Sequence, residues 1–445
     1  MEADGQRSSL TRAGVLRGVA AGVTGAAALA ACGRVGDPGA GGASRPAAPV
    51  EVEYWSTLRA NQPEGKGRLE ALAISERANA EYVRVRYEQE GGSDAEKIVA
   101  AVSAGTPPNL LVFRPNNAAQ LVDLGAAVEL EGELKALPGW AKARQSLRPT
   151  FYDGASWRGR LVSLPLYQVT AAMMYAPEHL ERSGVQPPPM TWTWADFESI
   201  AKRAARPPDV WGLDLAWDNT GFEKWTGSNG VRTVDKDQTR VSFVQPAAVE
   251  AIEFLSNLTH GLQLVPPAAQ GELLIKGQTV FEPQGAYRIP VLREAGVRFE
   301  PIDFPRGPRH AAAPLKLGSM YSFIVFKAAD PAKQRAAARL ALGCLADDAQ
   351  AAMCKTHLGL PATTTAADSA AYKQYLAQDR QTKAFVDMSP SFQVRPSFPS
   401  VEEMWKQVDQ AMGKVYRRQD SARNALLEAE QQTQRLLDAD HARHG

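Results

Sequence analysis

The sequence lacks an excess of charge of either sign. Its 445 residues carry 50 lysines and arginines against 49 aspartates and glutamates, so the formal net charge is +1. Neither a nucleic-acid partner nor an acidic solvating tail is therefore expected. Collagen-like and heptad periods are also missing. These absences leave an ordinary globular protein, and at roughly 100–200 residues per domain the length predicts two or three domains.

Cysteine and histidine are scarce. Cysteine occurs three times, and the six histidines are scattered along the chain. No pair of cysteines and no pair of histidines has the spacing of zinc ligands, so we predict no metal site; we also predict no cofactor. On one continuous helix Cys344 and Cys354 would lie about 15 Å apart, which is beyond the reach of a disulfide. We expect both to be buried free thiols.

Common catalytic motifs are missing as well. The sequence has no GxxxxGK[ST] phosphate loop, no HExxH motif and no GxSxG motif. Its scattered histidines suggest no pairing of a nucleophile with a base. The expectation is therefore a protein that is not an enzyme.

The N-terminus has an apolar run, but a short one. Residues 19–31 are uncharged and number 13, whereas a membrane-spanning helix needs about 20. Three arginines precede this run, an order typical of a signal peptide. The sequence LAAC at 29–32 looks like a lipobox, in which small residues precede a cysteine that is lipidated. We predict a lipoprotein signal peptide over 1–31 and lipidation at Cys32; the alternative is a generic cleavage site beside an incidental cysteine.

Residues 32–49 are rich in glycine, alanine and proline and have no periodicity. Such a composition predicts a flexible tether. The segment 11–17 resembles a twin-arginine signal, but Ala13 stands where the second arginine would be, so the export route stays open. The mature protein is expected outside the cytoplasm, lipid-anchored to the outer face of the cell membrane or in the periplasm.

Strand and helix patterns alternate after the tether. Residues 50–54 and 82–87 alternate like strands, 67–80 have helical spacing, and 110–113 are fully apolar like a buried parallel strand. A capping box at Ser93 begins a second helix before the last of these strands. The order β-α-β-α-β predicts an open parallel sheet, and ligands of such sheets bind at the carboxyl ends of the strands. These ends carry four candidate ligand-binding residues: Trp55, Phe113, Arg114 and Asn116.

Tryptophan is concentrated in the middle of the chain, where seven of the nine lie between positions 140 and 225. Aromatic enrichment fits a carbohydrate pocket, although tryptophans also pack cores. Trp225 is the candidate taken from this group. Further along, residues 246–262 have a helical pattern, 321–326 are strand-like, and Asp330 precedes a proline as the N-cap of a helix to about 345. Two more helices are predicted between 401 and 437.

Several short segments together resemble a known family. They are AEKIVAAVSAGTPPNL at 95–110, GRLVSLP at 159–165, KGQTVFEPQG at 276–285 and LGLP at 358–361. In this order they are similar to the carbohydrate-binding extracellular solute-binding proteins of ABC importers, a family that includes the maltose-binding protein. The resemblance extends over nearly all of residues 50–440.

The resemblance implies an α/β protein with the type II periplasmic-binding-protein fold. Two lobes, each an open sheet flanked by helices, would enclose an interlobe ligand cleft. Lobe I would take residues 50–165 and 306–358, and lobe II residues 166–305 and 359–445. The chain would cross between the lobes near 165–167, 304–306 and 359–361.

The resemblance also implies three further ligand-binding residues. Tyr287 follows a glycine turn, Tyr321 follows a loop whose family counterpart faces the cleft, and Trp405 matches a tryptophan that stacks on sugar in the maltose receptor. Sugars present apolar C–H faces and hydroxyl edges, which aromatic rings and polar side chains complement. Arg114 and Arg288 leave a phosphate or uronate ligand open, because a guanidinium binds such groups bidentately.

By this resemblance the protein is a lipid-anchored monomeric receptor. It would capture a carbohydrate or related small polar solute and deliver it to the permease subunits of an ABC transporter, with no nucleic acid as a partner. Two alternatives remain. A secreted glycosidase needs only two facing carboxylates, which any of the 49 acids could supply. An adhesion or signalling module would keep the binding fold without a transporter.

Overall fold

The computed structural model describes residues 48–56, 62–89, 95–169, 171–267, 272–310, 314–357, 359–389 and 392–443, and the single residues 46, 60 and 312. The predicted signal peptide, Cys32 and the Ser93 capping box lie outside these residues. In the described part of the chain, no helix combines the length and apolar character needed to cross a membrane.

The strands of the described chain are, in order, β1 (Val50–Ser56), β2 (Val83–Gln89), β3 (Leu110–Phe113), β4 (Ser156–Trp157), β5 (Arg160–Leu161), β6 (Leu164–Val169), β7 (Ala171–Tyr175), β8 (Trp211–Leu213), β9 (Thr279–Gly285), β10 (Glu300–Ile302), β11 (Lys316–Val325), β12 (Leu360–Pro361) and β13 (Phe392–Val394).

The α-helices are α1 (Pro63–Ala78), α2 (Ala95–Ser103), α3 (Pro115–Asp123), α4 (Leu130–Lys135), α5 (Trp140–Ser146), α6 (Pro149–Gly154), α7 (Pro177–Arg182), α8 (Trp194–Ala204), α9 (Asn219–Ser228), α10 (Pro246–Ser256), α11 (Arg288–Glu294), α12 (Pro331–Gly343), α13 (Asp347–His357), α14 (Thr364–Asp368), α15 (Ala370–Gln378), α16 (Arg380–Asp387), α17 (Val401–Tyr416) and α18 (Ala422–Ala442). A π-helical turn, Asn257–Gly261, extends α10.

The larger sheet has the strand order β12-β6-β11-β3-β1-β2, with β13 also paired to β11. Strand β1 pairs in parallel with both β2 and β3, so the predicted β-α-β-α-β unit is confirmed. Strand β11 runs antiparallel to β3 and β6. Apolar side chains such as Val52, Leu110 and Val112 are buried in one core with those of α1 and α12.

The two cysteines of this core lie on different helices rather than on one. Cys344 is the C-cap of α12 and Cys354 lies within α13. Both are buried and free, which confirms the predicted thiols. Burial raises the pKa of each thiol, because the thiolate would lose its hydration.

The smaller sheet has the order β10-β7-β9-β8. Strand β9 pairs antiparallel with β7 and parallel with β8. Aromatic side chains pack beside this sheet, where the rings of Trp192, Phe197 and Phe281 contact one another. These rings join the sheet to the helices that flank it.

The chain passes between the two sheets more than once. Strand β6 ends in the larger sheet at Val169, and β7 begins in the smaller sheet at Ala171. The chain returns between β10 and β11. Strands β12 and β13 both belong to the larger sheet, while Phe385 on the intervening α16 packs in a core with the smaller sheet. The C-terminal helices α17 and α18 then pack against α9 and α10.

Candidate functional site

A cavity of about 450 Å³ lies where elements of both sheets meet. Its lining residues come from β6, β11, α1 and the segments after β3 and β13 on one side, and from β7, β9, α9 and the segments after β8 and β9 on the other. Seven of them carry ionisable charge: Glu64, Arg114, Asp214, Glu223, Lys224, Glu282 and Arg395. Two tyrosines, Tyr287 and Tyr321, supply the aromatic surface among its described lining residues.

Tyr321 is held by a stack of side chains behind it. Its ring lies 5.2 Å from the ring of Tyr167 at an interplanar angle of 22°, and the guanidinium carbon of Arg68 lies 4.6 Å from its centre. Arg68 is 2% exposed and its Nε donates to the Tyr167 hydroxyl at 3.0 Å. A cation beside an aromatic face is attractive in a desolvated site, so this stack fixes the plane of the Tyr321 ring.

Tyr287 approaches from the smaller sheet. Its hydroxyl donates to Oε1 of Gln284 at 2.7 Å, and 44% of its surface is exposed. A Cβ atom on Gly285 would lie 2.4 Å from the ring, closer than non-bonded carbons approach. Glycine at this position therefore lets the ring lie against the end of β9.

An ion pair between Arg395 and Glu223 forms another part of the cavity lining. Arg395 donates to Oε2 of Glu223, and its guanidinium carbon lies 4.9 Å from the centre of the Trp405 ring. Glu223 is 2% exposed, and burial raises the pKa of its carboxyl, although Arg395 opposes the shift. The positive charge of Arg395 thus offsets part of the desolvation cost of the buried Glu223 carboxylate.

Three further charged side chains lie on or beside β9. Glu282 is 2% exposed and its Oε2 accepts from Leu274 N at 3.1 Å, while Oδ2 of Asp214 accepts from Leu273 N at 3.2 Å. Burial raises the pKa of both carboxyls. Lys224 donates to Pro283 O at 2.8 Å, and burial lowers the pKa of its amine. The cavity therefore offers charged hydrogen-bonding groups of both signs.

The structure brings three of the eight predicted residues to the cavity: Arg114, Tyr287 and Tyr321. Trp225 is elsewhere, because it is fully buried in the aromatic core beside Trp194 and Phe197. Trp405 is 3% exposed and lies under Arg395 instead of lining the cavity.

The remaining three predicted residues lie at the carboxyl ends of β1 and β3 but do not line the cavity. The indole of Trp55 donates to Oε1 of Glu53 at 2.7 Å. Phe113 is half-buried against the core. Asn116 is 2% exposed and donates to the carboxylate of Glu402 on α17.

Sequence reasoning missed most of the charged lining. Asp214 directly follows β8, which is parallel to β9, so the rule about strand carboxyl ends would have found it had β8 been recognised. Glu282 and Gln284 lie within the KGQTVFEPQG segment, but no local pattern marks them as ligand-binding residues. Glu223 and Arg395 gave no local signal, since their pairing joins positions 172 residues apart. Over the described residues, no group of three or more His, Cys, Asp or Glu side chains is placed to hold a metal ion.

Several solved structures share this architecture. An ABC substrate-binding protein from Listeria monocytogenes, in complex with cycloalternan, has a TM-score of 0.75 and 18% identity over 88% of this chain and 99% of that one. The cyclic alpha-maltosyl-1,6-maltose binding protein from Arthrobacter globiformis has a TM-score of 0.74 and 20% identity, over 87% of this chain and 99% of that one. A maltose/maltodextrin-binding domain from Bdellovibrio bacteriovorus, bound to maltotriose, has a TM-score of 0.71 and 15% identity, over 87% of this chain and 100% of that one.

These likenesses confirm the predicted two-lobe α/β fold. No curated protein matches the chain in sequence. The sequence model of one family, described as bacterial extracellular solute-binding protein, matches residues 71–379. This range includes strands of both sheets and most of the cavity lining. The chain belongs to the bacterial extracellular solute-binding proteins.

Proposed function

We propose that the protein is a lipid-anchored receptor that captures a carbohydrate or related polar solute between two lobes and delivers it to an ABC transporter permease. The observation that carries this proposal is the cavity where the two sheets meet. Each sheet, together with the helices and segments beside it, contributes one tyrosine ring and several charged side chains to the lining. A solute held there contacts both lobes at once, so its binding favours their closed arrangement.

The chemistry of the lining suits a sugar. Tyr287 and Tyr321 offer aromatic faces for C–H groups, and the carboxylates, Lys224 and the arginines offer partners for hydroxyl groups. The related solved structures named above hold cycloalternan and maltotriose, or are named for binding a cyclic maltosyl sugar.

A thermal-shift screen tests the proposal. A ligand that binds the native state alone raises stability by RT ln(1 + [L]/Kd). Neutral oligosaccharides, sugar acids, amino sugars, polyols and sugar phosphates are compared at equal concentration. We expect at least one carbohydrate to raise the melting temperature in proportion to the logarithm of its concentration, and a flat response to every compound would contradict the proposal.

One observation favours a second candidate, a glycosidase. Glu223 and Glu282 are two buried carboxyls that line the cavity, and burial raises the pKa of each; a glycosidase needs one such carboxyl as its general acid. The product distinguishes the two functions. A receptor releases its sugar chemically unaltered, whereas a glycosidase releases shorter sugars, which chromatography of the recovered ligand separates.

A further inference from the structure

Two buried carboxyls line the cavity with one oxygen atom each left without a hydrogen bond. Glu223 lies on α9 and Glu282 on β9, and each is 2% exposed. In both cases Oε2 is occupied, by Arg395 and by Leu274 N respectively. Oε1 of each accepts no hydrogen bond from any residue that the structure describes. An unsatisfied buried acceptor costs free energy that a ligand donor at this position would recover.

The cations near the two glutamates further restrict the chemical class of the ligand. Nη2 of Arg288 lies 4.0 Å from Oε1 of Glu282, too far for a direct hydrogen bond. Arg395 lies beside Glu223 and itself lines the cavity. Each of the two carboxylates thus has a guanidinium as its neighbour, at Oε1 of Glu282 and at Oε2 of Glu223, so its charge is already close to balanced.

A hydroxyl group matches this arrangement, because it donates one hydrogen bond and accepts others. It can donate to the free carboxylate oxygen and accept from a neighbouring cation. A ligand carboxylate or phosphate brings only acceptors and a like charge, which the two glutamates repel. A ligand ammonium group could donate to the glutamates, but its positive charge would be repelled by the neighbouring Arg288 and Arg395.

We infer that Glu223 and Glu282 are ligand-binding acceptors for hydroxyl groups of an uncharged sugar or polyol, and that they discriminate against sugar acids. This inference rests on the proposed function and assigns its ligand class. It favours neutral sugars over the phosphate and uronate ligands that the arginines alone left open.

The Glu282→Gln variant tests the assignment. The glutamine amide keeps an oxygen for Leu274 N but places an NH₂ donor where the free acceptor was. Glu181→Gln is the matched control, since Glu181 is an exposed residue paired with Arg298 outside the cavity. The probes are the neutral trisaccharides maltotriose, cellotriose and xylotriose, the acid trigalacturonate, and the glucosamine trimer. Affinities come from calorimetric titration, and melting curves show that each variant is folded.

We expect a neutral trisaccharide to bind at least tenfold more tightly than trigalacturonate or the glucosamine trimer. Glu282→Gln should weaken that binding by about 10- to 100-fold, as for loss of a hydrogen bond to a charged group, and Glu181→Gln should not. If Glu282→Gln binds as the wild type does while Glu223→Gln also has no effect, the assignment is wrong and the receptor function stands. Tighter binding of either charged trimer would also overturn it. Binding of none of the probes would overturn this assignment of the ligand class, and the thermal-shift screen over the wider set of sugars and polyols would still decide the receptor function.

Discussion

At the scale of single residues, Gly285 decides where the Tyr287 ring lies. Replacing it with alanine places a Cβ atom 2.4 Å from that ring, so we expect the ring to leave its position. Loss of one aromatic contact should weaken sugar binding by about 5- to 10-fold, with the melting temperature little changed. Gly132→Ala is the control, because its Cβ would meet no heavy atom within 4 Å. Equal affinities for the two variants in a titration would contradict the role of Gly285.

Protonation of the two buried glutamates should control binding. Burial raises the pKa of Glu223 and of Glu282 in the free protein. A hydroxyl that donates to a carboxylate favours its ionised form, so the bound ligand lowers these pKa values. Affinity should therefore be highest above the raised pKa values and should fall as the pH falls through them. Titrations between about pH 4 and 8 measure this; binding that tightens in acid would contradict it.

The residues at the site show how far the sequence alone can lead. Arg114 could be predicted because it directly follows a recognisable parallel strand, and Tyr287 and Tyr321 could be placed by resemblance. Trp225 could not be assigned, since an aromatic ring packs a core as readily as it binds sugar. Glu223 and Arg395 meet only after the chain has folded, and no local pattern records such a meeting.

At the scale of elements, the sequence correctly predicts that a helix begins after the N-cap Asp330. Asp330 accepts a hydrogen bond from Ala332 N at 2.8 Å, and α12 follows with Pro331 at its first position, as predicted. The helix ends at Gly343 rather than near 345, because its C-terminal residues join a turn that leads into α13. Cys344 and Cys354 therefore lie at the end of one helix and within the next.

The Asp330→Ala variant tests this cap. Loss of an N-cap should lower the free energy of unfolding by about 0.5–2 kcal/mol. Asp330→Ser is the control, because serine also caps and should retain most of the stability. Denaturant unfolding of both variants gives the comparison. An alanine variant as stable as the serine variant would show that the cap contributes nothing to α12.

At the scale of the whole molecule, the predicted anchor would hold the protein at the membrane. The lipobox-like sequence ends at Cys32, followed by the predicted tether. Mass spectrometry of the N-terminal peptide should find diacylglycerol on Cys32, and Cys32→Ala should release the protein from the membrane fraction. A mature protein whose unmodified N-terminus lies upstream of Cys32 would contradict the anchor.

One solute should be held between two walls of the cavity, one from the side of each sheet. Tyr321 on β11 and Tyr287 beside β9 represent those walls, so Tyr321→Phe, which keeps the ring, is the control for Tyr321→Ala. The decisive measurement is calorimetric titration of Tyr287→Ala and Tyr321→Ala with the neutral trisaccharide that the wild type binds most tightly. Each truncation should weaken binding by about 5- to 150-fold, because each removes one face of the site. If either variant keeps wild-type affinity, the ligand does not lie between the two walls.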